Sequence, residues 1–404
     1  MKKRLTDFIK TIPVKLYILL AAILAFTFFA NDFGLVDIQK TAVILAAAID
    51  KTDDGGFSVT AQIAVPKGVD RTTGGTSSVE IEGKGETVSA CFSQIYAKTG
   101  WVPKLVFCNL LLLGEESAKT GVFCCLDFFL RNEYMPDSCY VAISEGKAGE
   151  LLQTTSAVDD TSSLAIGKLF SDAAEKSGKV MTSSLREFAI GYYGASNSGY
   201  LPYVRAVEQS THPEGSSGGG SSSGGGESGG SGGNAEQKEI VYSAEETAMI
   251  NDGKFVGILN EEETFVFSLL SGNVFAGSFT VPTDEKPTAL TVLNDEGSVS
   301  LEMKGAPKAK MQTKLRVSTH SRGQPSAIEE IASSKPSEKL ERFAKEYIEK
   351  TALSLFEKSR AAGCDLFYLK RSLYRSSKKK YSEWKDSLLS ALTPEIEVTV
   401  KGIR

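Results

Sequence analysis

The sequence predicts an α+β protein, with mixed α/β subdomains, antiparallel or mixed sheets and a long C-terminal helix, preceded by one N-terminal transmembrane helix. Three observations carry that expectation. A basic tip, Lys2, Lys3 and Arg4, leads into a run without charge from Leu16 to Ala30. Up to about residue 205, short apolar runs alternate with apolar stripes at helical spacing, the pattern of layered helices and strands. Beyond about residue 237, strand-like runs come first and helical stripes later.

A basic flank before an apolar run places the N-terminus in the cytoplasm and the bulk of the chain outside. The run is shorter than the roughly 20 residues of a bilayer span, so a cleaved signal peptide is the competing reading. Retention is favoured because Ile12 to Val14 extend the span if Lys15 snorkels to the headgroups. Phe28 also stands where a signal peptidase wants a small side chain. Residues 1–35 are thus expected to form a basic tip and a membrane anchor. Its expected anchoring side chains are Leu16, Tyr17, Ile18, Leu19, Leu20, Ile23, Leu24, Phe26, Phe28 and Phe29.

The first folded region is expected over 36–205. Ala42 to Ile49 is apolar throughout, and Phe57 to Val65 alternates; Asp53-Asp54-Gly55-Gly56 supplies the turn of a hairpin between them. Val88, Cys91, Phe92, Ile95 and Tyr96 form one helical stripe, a buried strand follows over Leu105 to Leu113, and Glu115 to Arg131 reads as helix. Tyr140 to Ile143 is a short strand, Ala148 to Gln153 a helical turn or two, and Ser162 to Tyr193 more weakly helical.

In the second region, 237–404, strands are expected at Ile240 to Ile250, Lys254 to Leu259, Thr264 to Leu270 and Val274 to Val281. Leu290 to Val292 and Val299 to Met303 read as a hairpin around Asn294-Asp295-Glu296-Gly297, with another strand at Lys314 to Thr319. A long helix is expected from Ser337 to Ala362, a second around Tyr381 to Leu392, and a last strand through Ile396, Val398 and Val400.

Between the two regions, 206–236 reads as a disordered Gly/Ser tether. Of the 38 glycines, 11 fall in 215–233, and the rest of the chain has an ordinary glycine content. Such a segment either separates two domains or enlarges a loop between packed elements.

Composition narrows function mainly by exclusion. A net charge of -5, from 45 Lys+Arg and 50 Asp+Glu, argues against a nucleic-acid partner. Only His212 and His320 are present, so histidine-rich metal sites are not expected, and no cofactor is. Gly-x-Ser-x-Gly occurs at 215–219 and 226–230, but within Gly/Ser repeat rather than on a strained strand-to-helix turn. Gly83-Lys84-Gly85 lacks the remaining residues of a phosphate loop. The six cysteines have no metal or redox spacing and read as buried thiols, although an extracytoplasmic location permits a disulfide.

One surface signal stands out. Lys370, Arg371, Arg375, Lys378, Lys379 and Lys380 are interleaved with Tyr374, Tyr381 and Trp384, and 364–404 carries nine Lys+Arg against five Asp+Glu. These six cations and Trp384 are candidates for contact with anionic headgroups or an acidic partner. The plainer reading is a solvated loop and helix start.

Three stretches, in order, carry a family resemblance. The first is Val36-Asp37-Ile38 with Ala48-Ile49-Asp50. The second runs through Leu113-Gly114-Glu115, Leu126 to Arg131, Tyr140-Val141-Ala142 and Gly146-Lys147-Ala148. The third joins Cys364 to Leu369, Arg371, Trp384 and Glu397 to Val400, and Lys254 to Leu259 adds a further strand. Together they resemble the Ger(x)C family, the C subunits of bacterial spore germinant receptors.

The resemblance implies a non-enzymatic protein on the outer face of the spore inner membrane. It would work with integral-membrane A-type and B-type receptor subunits, meeting the small-molecule germinant only indirectly. Family members are typically lipoproteins, whereas the first cysteine here is Cys91, far beyond the apolar run, so a single-pass helical anchor is expected instead. The alternative is an extracytoplasmic protein that binds a germinant or other solute directly.

Overall fold

Two sheets organise the chain. The computed structural model describes residues 15–26, 41–65, 77–210, 238–283, 287–322 and 335–403. The first sheet holds β1 (Thr41–Lys51), β2 (Phe57–Val65), β3 (Ser77–Gly85), β4 (Val102–Lys104), β5 (Leu110–Gly114), β6 (Tyr140–Ser144), β7 (Ser198–Ser210), β8 (Lys238–Asn251) and β9 (Lys254–Leu259). Its order is β3-β2-β1-β5-β6-β7-β8-β9, with β4 beside the start of β1. The central strands β1, β5, β6 and β7 run parallel, and antiparallel strands flank them on both sides.

Parallel centres are buried on both faces and therefore favour apolar runs over strict alternation. Ile49, Leu111, Leu113, Val141 and Ile143 face one core. Their neighbours Ala48, Leu110, Leu112 and Ala142 face another. The first core is closed by α2 (Val88–Thr99), α3 (Glu115–Leu130) and α7 (Leu185–Tyr192), the second by α4 (Ala148–Gln153) and α5 (Ser162–Leu169). The short α6 (Asp172–Lys176) lies between α5 and α7 in the chain.

The second sheet contains β10 (Ser278–Val281), β11 (Thr288–Asp295), β12 (Ser298–Glu302), β13 (Lys308–Arg322) and β14 (Thr393–Gly402). Its core is sealed by α8 (Glu261–Leu270) and the 24-residue α9 (Glu338–Ala361), whose Leu340, Ala344, Ile348, Leu355 and Phe356 are buried. Three short helices follow: α10 (Leu369–Ser376), α11 (Lys378–Trp384) and α12 (Leu388–Ala391).

Several elements differ from the pattern-based expectation. Thr264 to Leu270 is the helix α8, not a strand. All of Glu263 to Leu270 is buried, so the run shows no helical period, while a capping box of Asn260 and Glu263 starts the helix. Asn294 to Gly297 does not turn the chain. β11 and β12 pair in succession along one edge of β13, and Glu296 bonds Lys314 across the gap. Gly297 is needed for close approach, since a Cβ there would sit 1.8 Å from the Leu269 carbonyl oxygen.

The strand expected from Leu105 begins only at Leu110, and Ser162 to Tyr193 holds three short helices. The helix expected over Tyr381 to Leu392 is interrupted between α11 and α12, and β3, β7 and α10 were not anticipated by the pattern.

The Gly/Ser segment joins paired strands. β7 and β8 stay in antiparallel register out to Ser210 and Lys238. The first sheet therefore draws strands from both sides of the Gly/Ser segment, rather than ending at it as a domain boundary would require. At the N-terminus, α1 (15–26) is a helix with exposed side chains. Its 12 residues span about 18 Å, and no helix among the described residues is long and apolar enough to cross a membrane. Phe28, Phe29 and the rest of the expected anchor lie outside the described residues.

Candidate functional site

Two surfaces merit description, the basic C-terminal segment and an aromatic cleft over the first core. The basic segment is anchored by Asp365, which is 2% exposed. Its carboxylate accepts from Ser196 Oγ at 2.7 Å and from the backbone N–H groups of Leu369 and Lys370, both at 2.8 Å. Its own N–H donates to Ser198 Oγ, and Cys364 Sγ donates to the Ile250 carbonyl. Burial raises the Asp365 carboxyl above its ordinary range, partly offset by these hydrogen bonds. The Cys364-Asp365 pair thus joins the start of β7 to α10, tying the two sheets together.

From that joint the cations diverge. Arg375, Lys378, Lys379 and Lys380 are exposed, whereas Lys370, Arg371 and Trp384 are half-buried. Trp384 packs on the second core, and Tyr381 donates its hydroxyl to the Ala195 carbonyl. Lys378 lies 5.7 Å over the Tyr374 ring. The seven predicted residues therefore share one region, but only four cations are fully available to a partner.

The cleft escaped the sequence reading. It has a volume of about 870 Å³ and lies among α2, α3 and the end of α7, with Phe123, Phe128, Tyr192 and Tyr193 in its walls beside Asp127, Arg131 and Asn132. Phe123 stacks on Tyr192 at 3.7 Å and meets Tyr193 edge-on at 5.0 Å. The bend that positions Phe123 comes from Gly121, where α3 is kinked. Val122 N–H there leaves the helical ladder and donates to the Gly253 carbonyl at the β8–β9 turn. Periodicity showed that Val122 and Cys125 face inward, but gave no sign that Phe123 and Tyr193 face a common hollow.

Other candidate chemistry resolves into structure. Gly83 and Gly85 end strand β3. Both Gly-x-Ser-x-Gly stretches and His212 lie outside the described residues, and His320 is in β13. Among the described residues no cluster of metal-ligating side chains occurs. All six cysteines are free thiols, five buried and Cys124 exposed. Asp50, at the end of β1, accepts from the N–H groups of Ala148 and Gly149 and so holds the start of α4. Gly114 is required beside it, because a Cβ there would lie 2.0 Å from the Asp50 carboxylate.

Fold and surface together define a two-sheet α+β protein presenting an open aromatic cleft and a basic helical segment. The comparisons with known proteins make the class specific. Residues 35–206 match the spore germination protein N-terminal domain, and residues 245–404 match the C-terminal family described as spore germination B3/GerAC like. The chain belongs to the Ger(x)C family of spore germination proteins. The crystal structure of the GerBC protein is similar at 15% identity and a TM-score of 0.49, covering 88% of this chain and 96% of that one. No curated protein matches the sequence significantly.

Proposed function

We propose that this chain is a membrane-anchored accessory or assembly subunit of a nutrient germinant receptor, working through protein contacts with A-type and B-type integral-membrane subunits. Membership of the Ger(x)C family across both halves of the chain carries this reading. The exposed face of α10 and α11, with Arg375 and Lys378 to Lys380, supplies a surface for an acidic partner or anionic headgroups. Anchoring is assigned to the apolar segment that contains α1, with the N-terminus cytoplasmic and the bulk outside. The chemistry expected is binding rather than catalysis.

Co-expression of the full chain with A-type and B-type subunits, then capture in detergent, is expected to recover all three. Recovery of this chain alone would contradict the proposal. A second reading, direct binding of a germinant or other solute, is favoured by the aromatic cleft of about 870 Å³. A thermal-shift screen of amino acids and sugars tests it: a raised Tm supports solute binding, and a flat response rejects it.

A further inference from the structure

One turn of the first sheet has an apolar tip. Cys108 N–H donates to the Leu105 carbonyl at 2.8 Å, so Val106 and Phe107 are the turn's central residues. Such positions ordinarily take Gly, Pro, Asn, Asp or Ser. Here Leu105 and Cys108 are buried, while Val106 is 50% and Phe107 63% exposed. Tyr96, Trp101, Val102 and Tyr134 are exposed too. Tyr96 and Val102 line one hollow of about 320 Å³ with Leu105, and Lys104 lies 5.1 Å over the Tyr134 ring.

Topology gathers these residues at one end of the sheet. β1, β5 and β6 are parallel and so begin at the same end. Trp101 leads into β4, which pairs with Thr41 to Val43 at the start of β1. The Val106-Phe107 turn leads into β5, and Tyr134 lies in the connection into β6. This is the end at which the chain arrives from α1. Residues 26 and 41 are fifteen steps apart, at most about 50 Å of chain. Every large apolar side chain of α1 is more than half exposed. The Gly/Ser segment leaves from the opposite end, where Ser210 pairs with Lys238.

We propose that this end of the first sheet rests on the bilayer that receives α1, with Trp101, Val106 and Phe107 entering the interface and Tyr96 and Tyr134 flanking them. Aromatic side chains mixed with lysines suit the headgroup level, where ring and charge are both satisfied. Residues 96–107 and 131–139 carry Lys98, Lys104 and Arg131 against Glu133 and Asp137, a net of only +1. The contact is therefore apolar and holds on zwitterionic lipid and at high salt, unlike one made through Lys378 to Lys380. The proposal rests on the reading of α1 as part of a membrane anchor.

The chain's only two tryptophans, Trp101 and Trp384, provide the test. The full chain is reconstituted in phosphatidylcholine vesicles with brominated acyl chains, as a Trp384→Phe variant that isolates Trp101 and a Trp101→Phe variant that isolates Trp384. Trp101 emission is expected to fall by roughly half relative to unbrominated lipid, with no change at high salt. Adding Val106→Asp and Phe107→Asp to the Trp384→Phe variant should restore the emission while the protein still floats with the vesicles. Unquenched Trp101 in a floating protein overturns this proposal and leaves the anchor reading intact, whether or not Trp384 is quenched. A chain that fails to float contradicts the anchor reading itself, and this proposal with it.

Discussion

The two sheets solve the same burial problem in opposite ways. In the first, β5 is buried at every residue from Leu110 to Gly114 because helices cover both faces. In the second, Met311, Thr313, Leu315 and Val317 of β13 point to the core, while Lys314 and Arg316 between them are exposed. A doubly covered sheet places its functional surface on the covering helices and the loops at its ends. A singly covered sheet keeps a polar outer face. The aromatic cleft and the apolar turn accordingly both belong to the first sheet.

The sharpest way to break this contrast is to truncate one side chain in each sheet. Leu112→Ala, at a fully buried position of β5, is expected to cost about 2–5 kcal/mol in denaturant unfolding. Lys314→Ala, on the outer face of β13, should stay within about 0.5 kcal/mol. Equal losses would mean that the second sheet's outer face is covered as well. Next in size is Asp365→Ala at the joint. It strands the Ser196 hydroxyl and two backbone N–H groups at a buried site and should cost about 2–3 kcal/mol.

A comparable, pH-dependent effect marks the second sheet. Burial pushes Asp295 up to about 7; Thr313 donates to one carboxylate oxygen, and the other is buried without a partner. The folded protein therefore keeps a proton that the unfolded chain releases above about pH 4, so this group's contribution to stability falls as pH rises from about 4 to about 7. Asp295→Asn should flatten that section of the stability profile. Equal slopes in the two proteins would place the carboxyl in water.

The smallest effect on stability is expected from Arg375→Glu with Lys378→Glu to Lys380→Glu, all at exposed positions. The unfolding midpoint should barely move, while capture of the A-type and B-type subunits declines. Unchanged capture would remove this surface from the interface.

Much of the first sheet was legible because its signals are local. The β1–β2 hairpin has both an apolar pattern and a turn, and α2 has a clean stripe, although Tyr96 at its edge is exposed. Illegible elements lacked a period or carried a contrary residue. β3 is a polar edge strand with Val79 exposed, and β7 contains Pro202, a residue that strand interiors disfavour, and meets β6 only at Tyr203 and Val204. Val106 and Phe107 vanished into the apolar stretch before Leu110, because composition does not distinguish a buried side chain from one presented outward. The basic segment was found as a charge run, but only the Asp365 joint shows why half of it is held inward.

The central claim is tested most directly by deleting the gene from the spore-forming host and following germination after nutrient addition. Loss of the response to particular nutrients, restored by the full chain and with germination by non-nutrient triggers intact, is the expected result. An unchanged response to every nutrient would contradict a role in a nutrient germinant receptor.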